Sequence, residues 1–395
     1  MQFKILTLNQ IAEEGLRYLP KNQYELVSEW NKDPDGVIVR SAVMHGLELP
    51  RSVQAVVRAG AGVNNIPVEE YTAAGVAVFN TPGANANAVK ELVLTGMLLA
   101  ARPVVEALEF VRTLKGSHEE MGKVVEKEKK RFAGTEIAGK TIGVVGLGAI
   151  GSKVCDMCIS LGMDVIGYDP VLSVDAAIRL NPRVQRVEAL QSLVSRCDYI
   201  SLHLPVLPET KKMFDGKLFA CVKKGAVLLN YARGELVDNT ALLAALESGR
   251  LTRYMTDFPD EGLTSHPRIF ASPHLGASTK ESEDNCAIIG VRQMMDFLEN
   301  GNIVNSVNFP ALTLDRSGAA RMTVTARDGA LVSGKLCDVL GAANVKIKEM
   351  ATKNGPKISY SIIETEQALP ATVLETIKNI DGILKVRILD SHSGN

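Results

Sequence analysis

Three short segments carry residues that could do chemistry together. Asn230-Tyr-Ala-Arg233-Gly, Asp257-Phe-Pro-Asp-Glu261 and Ser272-Pro-His274-Leu-Gly place an arginine, a carboxylate and a histidine where apolar runs end. That set suits hydride transfer at a 2-hydroxy acid. Arg233 can clamp a carboxylate through two parallel hydrogen bonds. His274 can take the hydroxyl proton as hydride leaves the carbon. Glu261 can orient the imidazole and favour its charged form. Singly, each has a bland reading: a loop arginine is usually a surface residue, and a Pro-His pair is often a turn. Their weight comes from what stands upstream.

Upstream, Gly146-Leu147-Gly148-Ala149-Ile150-Gly151 follows the apolar run Thr141–Val145 and opens a helical pattern. Asp169 closes the next apolar run. A strand, this glycine spacing, a helix and then an acid form a dinucleotide-binding signature. Gly146 permits the tight turn, Gly148 lets the backbone approach a pyrophosphate, and Gly151 lets helix and strand pack closely. The phosphates would sit at the helix N-terminus, where unpaired N–H groups favour negative charge. Asp169 can accept hydrogen bonds from ribose hydroxyls and would repel a 2′-phosphate, so the expected cofactor is NAD rather than NADP. Cys155-Asp-Met-Cys158 lies behind the glycine loop without a second pair, and reads as buried small side chains. No metal is expected.

The surrounding elements must position these groups. In the first 80 residues, Gly36–Arg40, Val53–Arg58 and Val76–Asn80 read as strands between helical stretches. Apolar residues recur at helical spacing from Asn85 to Leu114, interrupted by Pro103, and residues 117–131 read as a charged, solvated helix face. A second alternating series runs through strands at Thr141, Val165–Asp169, Tyr199–His203, Ala226–Asn230 and Ile269–Ser272. Ser278–Asn300 is helical again, and Gly301–Ser317 is a linker. The tail reads strand, helix, strand, strand, helix, strand, a ferredoxin-like pattern. The expected fold class is α/β, with two Rossmann-like doubly wound parallel-sheet domains plus this C-terminal βαββαβ unit. The chain has 395 residues, with 44 Lys+Arg against 45 Asp+Glu, which argues against a nucleic-acid protein held by bulk charge. No apolar stretch approaches the about 20 residues that span a bilayer. No membrane partner is expected, and the cytoplasm is the expected location.

With these motifs in view, the chain resembles the D-2-hydroxyacid dehydrogenase family. The matching pieces are Val39-Arg40-Ser41, Arg58-Ala-Gly60-Ala-Gly62-Val-Asn-Asn-Ile66, Asn80-Thr-Pro-Gly, the glycine loop, His203-Leu-Pro205, Ala232-Arg233-Gly234 and His274-Leu-Gly-Ala-Ser-Thr279. The resemblance implies a substrate-binding domain from residues 1–88 and 279–308, an NAD-binding domain at 89–278, and a third domain at 318–395. It implies catalytic roles for Arg233, Glu261 and His274. It implies that His203, Leu204, Pro205, Thr210 and Ala232 lie against the cofactor, and that Arg40 with Ser41, and Arg58 with Gly60, meet the substrate. The first two pieces and the last point to family members that handle a phosphorylated three-carbon acid. The implied reaction is NAD-dependent oxidation of 3-phospho-D-glycerate to 3-phosphohydroxypyruvate, the opening step of L-serine synthesis. A molecule with a phosphate and a carboxylate gives more than one arginine a purpose. The alternatives are a dehydrogenase of glycerate, lactate or glyoxylate/hydroxypyruvate, and a non-catalytic NAD-sensing corepressor-like protein.

Two segments depart from the family pattern. Thr256-Asp257-Phe258-Pro-Asp-Glu261-Gly stands where Asp-Val-Phe-x-x-Glu-Pro is usual. Aligning on Phe258 makes Glu261 the catalytic acid and leaves Asp257, one place along, as the nicotinamide-contacting residue. The tail resembles an ACT domain. There Ala326-Arg327-Asp328-Gly329-Ala330 replaces the His-x-Asn and Pro-Gly of serine-sensing members, so a regulatory or an oligomerisation role stays open. The family forms dimers or tetramers, and the helix-rich stretch 85–131 is a candidate dimer arm. A homodimer or homotetramer is the expected assembly.

Overall fold

The computed structural model describes residues 2–327 and 329–389; Asp328, in the segment just quoted, lies outside them. Two compact units emerge, Met1–Asn85 with Lys280–Asn395, and Ala86–Thr279.

The first unit is built on five parallel strands: β1 (Phe3–Leu8), β2 (Tyr24–Val27), β3 (Gly36–Val39), β4 (Ala55–Arg58) and β5 (Ala77–Phe79). Their order is β2-β1-β3-β4-β5, which reverses direction between β1 and β3. Parallel strands covered on both faces are apolar almost throughout. β3, Gly-Val-Ile-Val, is buried at every position. Ile5, Ile38, Val57 and Phe79 face one core, and Leu6, Val37, Val39 and Val78 the other. The 21-residue helix Lys280–Asn300 returns to cover the first of these faces with Ala287, Val291, Met294 and Leu298.

The second unit carries seven parallel strands: β6 (Thr141–Val145), β7 (Asp164–Tyr168), β8 (Gln185–Arg186), β9 (Tyr199–Leu202), β10 (Ala226–Asn230), β11 (Leu251–Thr256) and β12 (Ile269–Ala271). The order β12-β11-β10-β9-β6-β7-β8 is the Rossmann order with one strand added, and it reverses between β6 and β9. Helix Ala149–Ser160 follows the glycine loop and buries Val154, Cys155, Cys158 and Ile159. Burial pushes the Cys158 thiol up to about 12 and the Cys155 thiol higher still, so neither is a reactive thiolate at neutral pH. Helix His118–Glu128 starts at a capping box between Ser117 and Glu120 and has no buried residue.

The last sheet belongs to the first unit. It contains β13 (Ala320–Ala326), β14 (Ile347–Asn354), β15 (Ser359–Thr365) and β16 (Ile383–Leu389), in the order β14-β15-β13-β16 with antiparallel neighbours. This is the ferredoxin-like order. One face packs under helices Gly329–Ala342 and Ala371–Lys378 through Met322, Val324, Leu336, Ile363 and Ile377. The other face offers Ile358, Tyr360 and Ile362 to the core that holds Phe79, Phe297 and Phe309. Both faces being covered explains why β15 is buried at all seven positions.

Candidate active site

Two glycines of the second unit's loop are required by close backbone contacts, and the third leaves space. Gly146 sits at φ +96°, and a Cβ there would lie 2.6 Å from the His203 carbonyl oxygen. A Cβ on Gly151 would lie 1.9 Å from the Gly146 carbonyl oxygen. The close approach at Gly151 is thus mainly to the loop's own carbonyl, with Val144 of the strand next at 3.3 Å. Gly148 has nothing within 4 Å of its Cβ position and caps helix Ala149–Ser160 without a side-chain hydrogen bond. The N–H groups of the first helical turn, around Ala149 and Ile150, have no acceptor inside the helix, as suits a bound pyrophosphate.

Asp169 ends β7 beside this loop. Its Oδ2 accepts from Leu147 N at 2.9 Å, and its Oδ1 accepts from Val171 N at 3.0 Å. Each oxygen keeps a lone pair for a further donor, so the carboxylate is fixed yet able to receive ribose hydroxyls. His203 follows β9, with its N–H on the Val145 carbonyl at 2.8 Å. Its Nε2 lies 2.8 Å from the Ser201 hydroxyl, and its Nδ1 is buried without a partner. Burial lowers the His203 pKa to about 3, so the ring is neutral at pH 7. Leu204 reaches 3.0 Å from the Gly146 Cβ position. Thr210 closes a turn: its hydroxyl accepts from Leu207 N at 2.7 Å and donates to the Pro205 carbonyl at 2.7 Å. An uncapped helix start, an open cradle at Gly148 and an orphaned buried nitrogen on His203 together fit a dinucleotide.

Three neighbouring strand ends gather the reactive candidates. Asn230, Thr256 and Ala271 are register partners across β10, β11 and β12. Asn230 is fully buried and folds the next loop back on itself. Its Nδ2 donates to the Arg233 carbonyl at 2.8 Å, and its Oδ1 accepts from Ala232 N at 3.2 Å and Arg233 N at 3.3 Å. The Arg233 side chain is left exposed, with Nη1 on the Ala232 carbonyl at 2.6 Å.

Asp257 does the equivalent for the histidine loop. Its carboxylate accepts from the Ser272 hydroxyl at 2.6 Å, Leu275 N at 2.7 Å and Gly276 N at 2.7 Å, while its carbonyl accepts from His274 N at 3.1 Å. Wrapped around this buried acid, His274 is forced to φ +58° and its ring stays exposed. The ring packs on Phe258, centroids 5.1 Å apart, and Phe258 in turn lies 3.2 Å from the Gly234 Cβ position. Phe258 thus touches both loops.

Two of the expected residues have surroundings that their motifs did not indicate. Asp257, expected against the cofactor, has its carboxylate engaged in holding the His274 loop. Glu261, expected to orient His274, starts the short helix Glu261–Thr264 and is exposed; among the described residues no hydrogen bond or ion pair joins it to His274. Asn230 and Phe258 were not among the expected functional residues. A polar residue ending the apolar run Ala-Val-Leu-Leu is the signal that could have found Asn230.

In the first unit, Arg40 and Arg58 lie at the carboxyl ends of paired strands, Val39 of β3 being the partner of Arg58 in β4. Arg58 Nε donates to the Arg40 carbonyl at 3.1 Å, and a Cβ on Gly60 would meet Arg58 Nη1 at 2.7 Å. Arg40 Nη2 donates to Glu283 at 2.6 Å. Ser41 N donates to Asn9 Oδ1 at 3.2 Å. Open α/β sheets bind ligands at this end of the strands.

Residues 97–276 match the family described as D-isomer specific 2-hydroxyacid dehydrogenase, NAD binding domain. The D-3-phosphoglycerate dehydrogenase of Haemophilus influenzae is 32% identical over 346 residues, covering 83% of this chain and 79% of that protein. The human D-3-phosphoglycerate dehydrogenase is 35% identical over 315 residues, covering 77% of this chain and 56% of that protein. The chain thus spans little more than half the length of such relatives. Among solved structures, NAD+-bound 3-phosphoglycerate dehydrogenase of Entamoeba histolytica aligns with a TM-score of 0.60 at 28% identity, covering 78% of this chain and 99% of that one. D-mandelate dehydrogenase of Rhodotorula graminis shares the fold, with a TM-score of 0.65 at 24% identity and 78% and 98% covered.

Proposed function

We propose a reaction for this chain on one premise: it belongs to the D-isomer specific 2-hydroxyacid dehydrogenase family. The reaction is oxidation of 3-phospho-D-glycerate to 3-phosphohydroxypyruvate with NAD, the first step of L-serine biosynthesis. The observation that carries it is the pair of loops bearing Arg233 and His274. They leave β10 and β12, the two strands that flank β11, and are held there by the buried Asn230 and Asp257.

Gly146, Gly148, Ala149, Ile150 and Gly151 would cradle the cofactor's phosphates, with Asp169 receiving the ribose. Bound NAD supplies a hydride acceptor. Arg233 pairs with the substrate carboxylate through its guanidinium fork and fixes the orientation of C2. His274 Nδ1 or Nε2 takes the C2 hydroxyl proton as the C2–H bond breaks, leaving a carbonyl and an imidazolium. Phe258 holds the imidazole plane. Arg40 and Arg58 are the first unit's candidates for meeting an anionic group of the substrate.

The same reading takes the enzyme as a cytoplasmic homo-oligomer. Val104, Leu108 and Val111 recur at i, i+4 and i+7 on helix Val104–Thr113, each more than 40% exposed, and suit a helix that meets a second copy. It also takes the C-terminal βαββαβ unit as ACT-like. The test is an NADH-oxidation assay with phosphohydroxypyruvate beside hydroxypyruvate, pyruvate and glyoxylate. The expected result is a kcat/KM for the phosphorylated acid at least about a hundredfold above the others, the scale of one lost buried charge pair. Equal use of hydroxypyruvate and its phosphate would replace this reading with a glycerate-type dehydrogenase.

A further inference from the structure

We propose that helix Lys280–Asn300 is a rigid link through which the C-terminal βαββαβ unit fixes the guanidinium of Arg40, with Glu283 as the positioning residue at the far end. The inference rests on the reading that Arg40 meets an anionic group of the substrate.

One end of the helix is clamped. The last four carbonyls of an α-helix have no partner inside the helix, and that end carries partial negative charge. Here arginines take all four. Arg387 of β16 donates through both Nη atoms to the Phe297 carbonyl at 3.1 Å and through Nη2 to Leu298 at 2.8 Å. Its guanidinium lies 4.4 Å over the Phe297 ring. Arg316 donates to the Glu299 carbonyl, and Arg321 of β13 donates to the Asn300 carbonyl at 2.9 Å. Arg321 is itself pinned by Glu364, and both are only 1% exposed. Arg321 and Arg387 are strand residues, so the C-terminal sheet itself grips the helix.

The middle of the helix has no slack. A Cβ on Gly15 would lie 2.5 Å from Ala287, one on Gly36 2.6 Å from Met294 Sδ, and one on Gly290 3.0 Å from Val57 of β4. Three glycines therefore let the helix lie flush on its neighbours. A close-packed element of this kind passes strain along rather than absorbing it.

The other end carries Glu283. Its Oε1 accepts from Arg40 Nη2 at 2.6 Å, and both side chains are only partly exposed, at 40% and 37%. One edge of the Arg40 fork is thereby held, and the planar guanidinium ties its other donors to that edge. From Glu283 to Phe297 the helix spans about 21 Å at 1.5 Å per residue. No direct contact between Arg40 and Arg387 is needed for them to be coupled.

The test uses the full chain and phosphohydroxypyruvate. Glu283→Ala should raise KM about fivefold, the upper range for a half-exposed ion pair, with kcat changed less. Glu283→Gln keeps an oxygen acceptor and should return KM close to wild type. If both variants lowered KM, the carboxylate would be acting as a repelling charge and the positioning role would be wrong. Arg387→Met keeps the packing on Phe297 but removes the donors, and should raise KM by a similar factor. In Glu283→Ala/Arg387→Met the two effects should not add, whereas full additivity would overturn the link. Should Arg387→Met fold poorly, the exposed Arg316→Gln repeats the test with one clamp removed. Amide exchange provides an arm free of turnover: residues 284–290 should exchange faster in Arg387→Met and in Arg316→Gln, and unchanged exchange in both would refute the link. Wild-type protein inert toward phosphohydroxypyruvate would instead defeat the substrate reading, leaving exchange to decide on the helix.

Discussion

Arg233 and Arg321 put the same side chain to opposite uses. Arg233 stands on a loop whose backbone is fixed by Asn230, and its guanidinium is exposed with one short contact to its own neighbour's carbonyl. Arg321 is 1% exposed and binds Glu364, the Asn300 carbonyl and the Leu314 carbonyl. In one region rigidity is built into the backbone so that the side chain stays available. In the other the side chain is itself the fastener. An arginine's role is therefore read from which of its donors are already engaged, not from its type.

Breaking each arginine should separate the two regions. Arg321→Ala leaves Glu364 buried and unpaired, and should lower unfolding stability by about 3–5 kcal/mol, seen as a fall in the denaturant midpoint. Arg233→Ala should leave that midpoint within about 0.5 kcal/mol of wild type, as expected of an exposed site, while kcat/KM falls on the order of a hundredfold. A large stability loss from Arg233→Ala, or a large activity loss from Arg321→Ala at full folding, would erase the distinction.

The smallest effect expected is a pH dependence. His203 keeps a neutral ring because burial lowers its pKa to about 3. The unfolded chain's imidazole titrates near about 6.5. Below that value the unfolded state binds a proton that the folded state refuses, so stability is full above pH 6.5 and declines as pH falls toward 3. Denaturant midpoints at pH 7.5 and 5.0 should differ less in His203→Gln than in wild type. An equal difference would mean that the fold protonates His203 as readily as the unfolded chain does.

Much of the architecture could be read from sequence because its causes are local. Apolar runs buried on both faces mark parallel strands, and Gly146 and Gly151 mark positions where a Cβ has no room. The alternation of strand and helix gave the two doubly wound sheets, and the tail's pattern gave the ferredoxin-like order. The supports of the site were less legible because their partners are distant. Asp257 reads as a cofactor ligand, and its bonds to Leu275 and Gly276 give it a task in holding the His274 loop that no motif announces. Arg40 reads as an unengaged cation until Glu283 arrives on a helix 243 residues later. Arg321 is a charge in an otherwise uncharged stretch of β13, and its partner Glu364 is its register neighbour on β15. Side-chain pairs of this range leave no periodicity to detect.

In the proposed reaction the C2 hydrogen of 3-phospho-D-glycerate moves directly to nicotinamide while His274 receives the hydroxyl proton. Incubating the full chain with NAD and 3-phospho-D-glycerate deuterated at C2, then weighing the reduced cofactor by mass spectrometry, tests it most directly. NADH one mass unit heavier should form with wild type and be lost in His274→Ala. Reduced cofactor without deuterium, or no reduction at all with active, folded protein, would contradict it.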